Sequence, residues 1–360
     1  MKSTRKKSSE FLEELGDDGA EQDRKFKQDD LEVTLEEMAD LSGPHIGLNY
    51  SFLALKNSTS YAIGTFCKGL KVMEQNQQIY SERFSGSQIY LYGLIYIDHL
   101  NCYLLCKGSK LYRKDIDGER PYFFMDLDCG ENFGKTFRYS KLNRRLIVPK
   151  NGTKLAVVNL ARKQVDILVK VNQDHGFIKD FKIFGRKENK IAWITSNCLI
   201  HIYSVNSDLK KIVTKNTHVV KLIGRRPKKI SFLEVCDQGK YLVAGFEDRS
   251  RMRSSRMSIF QFKGHSLNLL SILEEHDQEI ASKSSCLFFG RYWNHLIWVV
   301  LSESTALTYC FNSESGDLRE LVGKRVHHDE DFPLGLARKD QKVFFTGMKC
   351  KLMRFSVQLK

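Results

Sequence analysis

Few residues in this chain have the type and spacing that chemistry needs. His327-His328-Asp329-Glu330-Asp331 is the one run of ligand-type side chains. Consecutive residues seldom aim at a single ion, so the run reads as a solvated acidic loop. The nine cysteines are scattered and never spaced Cys-x-x-Cys. Metal ligands must converge on one point, so these read as reduced thiols filling small core spaces. No phosphate loop, nucleophile elbow, His-Glu-x-x-His or kinase set occurs. The expectation is a chain without enzymatic activity, cofactor or metal.

Cations form the stronger pattern. Arg225, Arg226, Lys228 and Lys229 lie within five residues, and Arg249, Arg251, Arg253 and Arg256 follow within eight. Arginine dominates the second group, which suits bidentate pairing with phosphate or carboxylate. Two readings stand: a solvated basic loop, or a site for RNA or an acidic protein surface. No aromatic residue interleaves with Arg249 to Arg256, which argues against a platform for stacked single-stranded bases. Arg251-Met-Arg-Ser-Ser255 also matches, weakly, a basophilic kinase site.

The elements that must position these groups follow from the apolar pattern. The first 30 residues are rich in Lys, Glu, Asp and Ser and predict a flexible tail. Phe11-Leu-Glu-Glu-Leu15 is its one apolar cluster, a candidate partner-binding helix or a stray. From residue 47 onward, apolar runs of five to eight residues alternate with turns holding Gly, Asn, Ser and Lys, which predicts an all-β domain. One unit recurs, two apolar strands joined by a short polar turn. Cys102-Tyr-Leu-Leu-Cys-Lys-Gly-Ser-Lys-Leu-Tyr112 and Ile191-Ala-Trp-Ile-Thr-Ser-Asn-Cys-Leu-Ile-His-Ile-Tyr203 are clear copies.

The second strands of successive copies start near Gly69, Ser109, Thr153, Cys198, Arg256, Thr305 and Cys350, giving steps of 40, 44, 45, 58, 49 and 45 residues. That period, with room for two further strands per unit, is the signature of a single closed β-propeller of about seven four-stranded blades. The long step comes from an insertion in the fifth hairpin. The chain stops after the second hairpin strand of the last copy, so that blade lacks its outer strand. Leu31-Glu-Val-Thr-Leu35 alternates and is a candidate to supply it. Leu31, Leu35 and Met38 also fit one helix face, and both readings stand.

By period and hairpin shape, residues 47–360 resemble the WD-repeat propellers. The signature is degenerate: where a Trp-Asp pair closes each family hairpin, this chain has Lys114-Asp115, Tyr203-Ser204, Phe311-Asn312 and Phe355-Ser356. The resemblance implies a non-catalytic scaffold that presents loops and a central channel to other macromolecules.

The net charge of +14 divides unevenly, with −6 on residues 1–47 and +20 on the remainder. Such a division concerns partners rather than fold. No secretory signal or membrane-length apolar run is present, so the expected address is intracellular, cytoplasm or nucleus. Asn57-Ser-Thr59 and Asn151-Gly-Thr153 match the glycosylation pattern but read as turns. The leading functional expectation is a protein-interaction scaffold within a multisubunit assembly. The alternative is a ribonucleoprotein component bound through the basic rim. A channel hydrolase would need convergent His, Asp or Glu at the inner strands, and no recurring set appears there.

Overall fold

The computed structural model describes residues 31–41, 50–65, 69–84, 90–127, 137–206, 209, 211–219, 229–236, 239–248, 254–263, 266–275, 285–292, 295–301, 305–312, 322–327, 335–339, 342–346 and 351–359. Among these residues the chain forms seven antiparallel sheets of four strands each. The first six are meanders spanning residues 50–83, 91–126, 138–170, 178–219, 229–275 and 285–327. They are called here sheets one to six. Sheet seven takes three strands from residues 335–359 and its outer strand from Leu31–Asp40. Helix among the described residues is confined to two single turns, Asp98–Leu100 and Gln173–His175.

The strands form because their sequences bury both faces. In the second strand of sheet four, Ala192 and Ile194 point toward sheet five. Their neighbours Ile191 and Trp193 point toward sheet three. Sheet six repeats this: Leu296, Trp298 and Val300 face sheet five, while Ile297, Val299 and Leu301 face sheet seven. Period-2 alternation thus survives as direction even though every position is apolar. The buried residues fall into seven clusters, each built from two neighbouring sheets. Six join sheets one to seven in chain order. The seventh sets Phe344 and Leu352 of sheet seven against Leu53, Leu55, Tyr61 and Ile63 of sheet one.

Polar contacts tie the innermost strands together. Asp180 lies between Arg138 of sheet three, at 3.6 Å, and the Leu233 amide of sheet five, which donates to it at 3.1 Å. Lys182 pairs with Glu234 at 2.6 Å, both largely buried. The innermost strands of sheets one, two, four, five and six each carry a register shift against their neighbour, as between Tyr50 and Phe52. Such bulges increase local twist and bend the strand, which suits strands converging on a common centre. Gly245 illustrates the closeness of fit: a Cβ there would meet the Phe232 ring at 2.4 Å.

Residues 31–40 form a strand, not a helix. Leu31–Asp40 runs antiparallel to Lys351–Leu359, with Leu35 opposite Phe355. The i, i+4, i+7 spacing of Leu31, Leu35 and Met38 loses because an open edge on Lys351–Leu359 would leave a row of ladder groups unpaired. Val33 and Leu35 pack onto the cluster between sheets six and seven, Met38 and Ala39 onto the one between seven and one.

The replacements for the Trp-Asp signature are buried as the tryptophan would be. Tyr203 is 1% and Phe355 0% exposed. Lys114, at the same place in sheet two, is also 0% exposed, and its ammonium donates to Asp115 O at 2.8 Å and Gly118 O at 2.6 Å. Burial lowers its pKa below the ordinary lysine value. Asn57 is a turn residue: its Oδ1 accepts from the amides of Thr59 and Ser60 at 2.9 and 2.7 Å. Asn151 and Gly152 belong to the three-residue turn between Lys150 and Lys154, with φ of 52° and 66°, a left-handed conformation that Asn and Gly tolerate best.

Trp193 and Trp298 occupy equivalent strand positions, and both are 0% exposed between sheets. Replacing either by Ala is expected to cost about 3–5 kcal/mol in urea unfolding. A loss below about 1 kcal/mol would contradict this packing. Burial also sets a pH dependence. It pushes the thiols of Cys102 and Cys198 up to about 11 from an ordinary 9.0. Between those values the unfolded chain has released protons that the native chain retains, so stability falls as pH rises through the window. Each thiol contributes up to about 1.4 kcal/mol per pH unit. Urea midpoints at pH 8.5 and 10.5 are expected to converge in a Cys102→Ala/Cys198→Ala variant relative to the parent; parallel losses would refute buried thiols as the cause.

Candidate partner-binding surfaces

Of the eight cations singled out in the sequence, Arg225, Arg226, Lys228, Arg249, Arg251 and Arg253 lie outside the described residues. The other two belong to strands rather than loops. Lys229 opens the innermost strand of sheet five, and Arg256 sits inside its third strand, Ser254–Lys263. The fifth hairpin is therefore longer than its apolar core suggests. Pairing continues through Glu247–Ser255 to Asp248–Ser254, and a further strand adds the pair Arg256–Glu274. Lys229 pairs with Glu247, and Arg256 with Phe246, so both stand at the end of sheet five where its second strand ends and its third begins.

A groove of about 800 Å³ opens between sheets one and two. Tyr80, Ser81 and Glu82 of the outer strand of sheet one form one wall. The Lys107–Lys110 turn, Tyr112, Arg120 and Pro121 of sheet two form the other. Lys107 bridges the walls, its ammonium 2.6 Å from Glu82 Oε1 and 5.1 Å from the Tyr112 ring centre. The Tyr80 hydroxyl donates to Glu82 at 3.0 Å. Burial, then the Glu82 charge, raises its pKa. Beside the groove, Phe123 is 54% and Tyr122 46% exposed on the outer strand of sheet two. Phe123 packs edge-on to Tyr112 at 6.2 Å and lies beneath Lys110 at 6.0 Å. Exposed aromatics flanked by cations are the composition of a protein-binding hot spot.

A second surface lies where sheets three and four end together. In sheet three, Ser140, Arg145, Asn159 and Gln164 form one row across the strands. The turns carrying Lys141, Arg144, Arg162 and Lys163 therefore sit at one end. In sheet four, Phe184, Lys190 and Ser204 form the matching row. Arg186, Lys187 and Lys211 belong to its turns. Glu188 locks the two ends together. Its Oε2 accepts from Ser140 Oγ at 2.7 Å and the Leu142 amide at 3.0 Å, and its backbone O accepts from Asn143 Nδ2 at 3.3 Å. Lys141, Arg144, Arg162, Lys163, Arg186, Lys187, Lys190 and Lys211 are all exposed. Leu142 stands among them at 63% exposure. Lys141 pairs with Asp98 of sheet two at 3.0 Å, an exposed pair of small net value.

No described group of three or more His, Cys, Asp or Glu side chains is placed to hold a metal ion. His327 ends a strand of sheet six, and the acidic residues after it lie outside the described residues.

No family model matches the chain, and no curated protein matches it. Solved structures do. The WD40 β-propeller domain of Doa1 aligns with a TM-score of 0.62 at 13% identity, covering 90% of this chain and 97% of that one. The N-terminal domain of Nup159 aligns with a TM-score of 0.63 at 10% identity, covering 93% and 97%. BBS1N, solved in complex with ARL6DN, gives 0.59 at 10% identity, covering 89% and 96%. The fold is a β-propeller with four-stranded blades. Identities this low speak to the propeller fold alone, so the two surfaces must be argued from their own residues.

Neither surface stood out in the sequence. The rim is four short basic turns spread over residues 141–211, and only the blade register shows them to be equivalent and adjacent. Glu188 is the residue that makes one surface of them. Glu188→Ala is expected to cost about 1–3 kcal/mol, the range for orphaning buried or half-buried donors. Hydrogen exchange at the Leu142 amide should speed up at the same time. Unchanged exchange there would mean the two turns hold their places independently.

Proposed function

We propose that the chain is one closed, WD-repeat-like ring of seven blades that serves as a non-catalytic protein-interaction scaffold in an intracellular assembly. Ring closure is supported by the strand Leu31–Asp40 completing sheet seven and by the apolar cluster between sheets seven and one. No described helix is long and apolar enough to cross a membrane. Among the similar propellers, Nup159 has been solved with Dbp5 bound to it, and BBS1N with ARL6DN.

The observation that carries the scaffold reading is the groove between blades one and two. Phe123 is 54% exposed beside it and packs edge-on against Tyr112 of its wall. An exposed ring there, beside Lys107, Lys110 and Arg120, fits a partner segment with an apolar anchor and a nearby carboxylate. The groove is already ordered by the Lys107–Glu82 bridge, which lowers the entropic cost of binding.

A second reading, a ribonucleoprotein component, is favoured by the cations of the rim on blades three and four and by the +20 charge outside residues 1–47. The rim shows an exposed leucine but no exposed aromatic among its described turn residues, so phosphate contact, not base stacking, would be its mode.

One experiment separates the readings. The tagged chain is purified from its native cells, with nuclease-treated and untreated halves, beside a Phe123→Ser/Arg120→Glu variant. The scaffold reading expects a defined protein set that survives nuclease and loses a member at least tenfold in the variant. Collapse of the whole set on nuclease treatment would overturn it in favour of RNA.

A further inference from the structure

We propose that the basic rim of blades three and four is the docking surface for the chain's own acidic segment, Glu10–Asp23. The inference is independent of the groove on blades one and two. It joins a described surface to a described exit point and to a sequence of matching charge.

The surface is the locked pair of turns around Glu188. It presents Lys141, Arg144, Lys187 and Lys190 exposed about Leu142, itself 63% exposed. Arg162 and Lys163 extend it outward on blade three, and Lys211 on blade four. Lys163 also reaches to 5.0 Å from the Phe124 ring of blade two, which holds it against the surface. The hydrogen bonds from Ser140, Leu142 and Asn143 to Glu188 fix the spacing of these cations before any partner arrives.

The exit point follows from strand register. In blade seven, Lys339 pairs with Lys342, Lys342 with Ser356, and Ser356 with Thr34. That row marks the end of the blade bearing the turn between its first and second strands. In blades three and four the equivalent end carries the basic rim. Leu31 lies three residues beyond the row, so the chain preceding it leaves on the rim face. The other end of the strand confirms the sense: Lys71, near the opposite end of blade one, donates to Leu41 O at 3.1 Å. Lys229 and Arg256, by contrast, stand at the opposite end of blade five, where its second strand ends and its third begins, on the face the strand Leu31–Asp40 does not enter from.

The segment matches in composition. Glu10–Asp23 holds seven carboxylates and no lysine or arginine, and it carries Phe11, Leu12 and Leu15. Glu13 and Glu14 sit between Leu12 and Leu15 as Lys141 and Arg144 flank Leu142. Reach is sufficient. The thirteen residues from Asp18 to Leu31 span about 20 Å as a flexible chain and at most about 45 Å extended. A compact domain of this size has a radius of gyration of about 20 Å. Glu13 and Glu14, eighteen and seventeen residues before Leu31, have an extended reach of about 60 Å. That is enough to cross the face from blade seven to blades three and four, so the contact is intramolecular although the linker must extend to make it.

Zero-length carbodiimide coupling of the full-length chain, mapped by mass spectrometry, tests the docking. The expected links join Glu13, Glu14, Asp17 or Asp18 to Lys141, Lys187 or Lys190, and fade between about 50 and 500 mM salt as screening sets in. Lys141→Glu/Arg144→Glu/Lys187→Glu should cut these links at least tenfold without lowering the unfolding midpoint. Adding Glu13→Lys/Glu14→Lys/Asp17→Lys/Asp18→Lys should restore linkage between the two segments with the charges exchanged, an outcome that misfolding cannot mimic. Links to Lys228 or Lys229 instead would overturn the proposal. So would links mainly between isotopically distinct copies, which assign the rim to a second chain.

Discussion

The pairing of Leu31–Asp40 with Lys351–Leu359 is the constraint on which the rest of this structure depends. A sheet edge exposes a row of unsatisfied amides and carbonyls, and Leu31–Asp40 pairs the row that Lys351–Leu359 would otherwise present. Here the end of the chain supplies three strands of blade seven and the beginning supplies the fourth. Several side-chain contacts decorate the pairing, including Lys351–Glu37 at 2.8 Å and an Arg354–Glu36 ion pair. These are exposed and contribute little. The weight falls on Val33, Leu35, Met38 and Ala39, which complete two different apolar clusters. A register shift between Glu37 and Ala39 marks the passage from one cluster to the other. One ten-residue strand thus seals both flanks of its blade.

The same logic governs Lys114, Tyr203 and Phe355, which hold equivalent places in the third strands of three blades. What the position requires is a large side chain filling the space between blades, and Tyr203 and Phe355 meet that need directly. Lys114 meets it differently. Its stem fills the space, and its ammonium is satisfied by two backbone carbonyls, which offsets much of the cost of burying a charge. Close packing between these blades is met by volume and polar satisfaction, not by one residue type.

This is also why the sequence revealed the scaffold better than the sites. Hairpins such as Ile191–Tyr203 and His295–Tyr309 are legible because strands buried on both faces read as unbroken apolar runs bounded by turn residues. The strand at 31–40 was ambiguous because its partner lies more than 300 residues away, and no local pattern encodes that. Lys229 reads as a loop residue and Arg256 as no more than the margin of a strand because polar side chains at a strand end look like loop. Only pairing with Glu247, Phe246 and Glu274 places them in a sheet. The groove draws on residues 80–82, 107–112 and 120–121, and its exposed Phe123 resembles any core phenylalanine in sequence.

The rim poses a physical question that the fold alone does not answer. Like charges about 8 Å apart in water repel by about 0.5 kcal/mol per pair, and salt removes much of that. Eight exposed cations on two adjacent blades are therefore affordable, yet nothing in the propeller core requires them. Glu188, in the turn between Phe184 and Lys190, accepts from Ser140 Oγ and the Leu142 amide. Its hydrogen bonds fix the geometry of the turns. Its position between Lys187 and Lys190 in the chain leaves the outer cations facing solvent. A carboxylate used to order a basic surface instead of neutralising its outer charges is what a binding site for anions needs, because the repulsion held in the unoccupied rim is relieved only when a negative partner arrives.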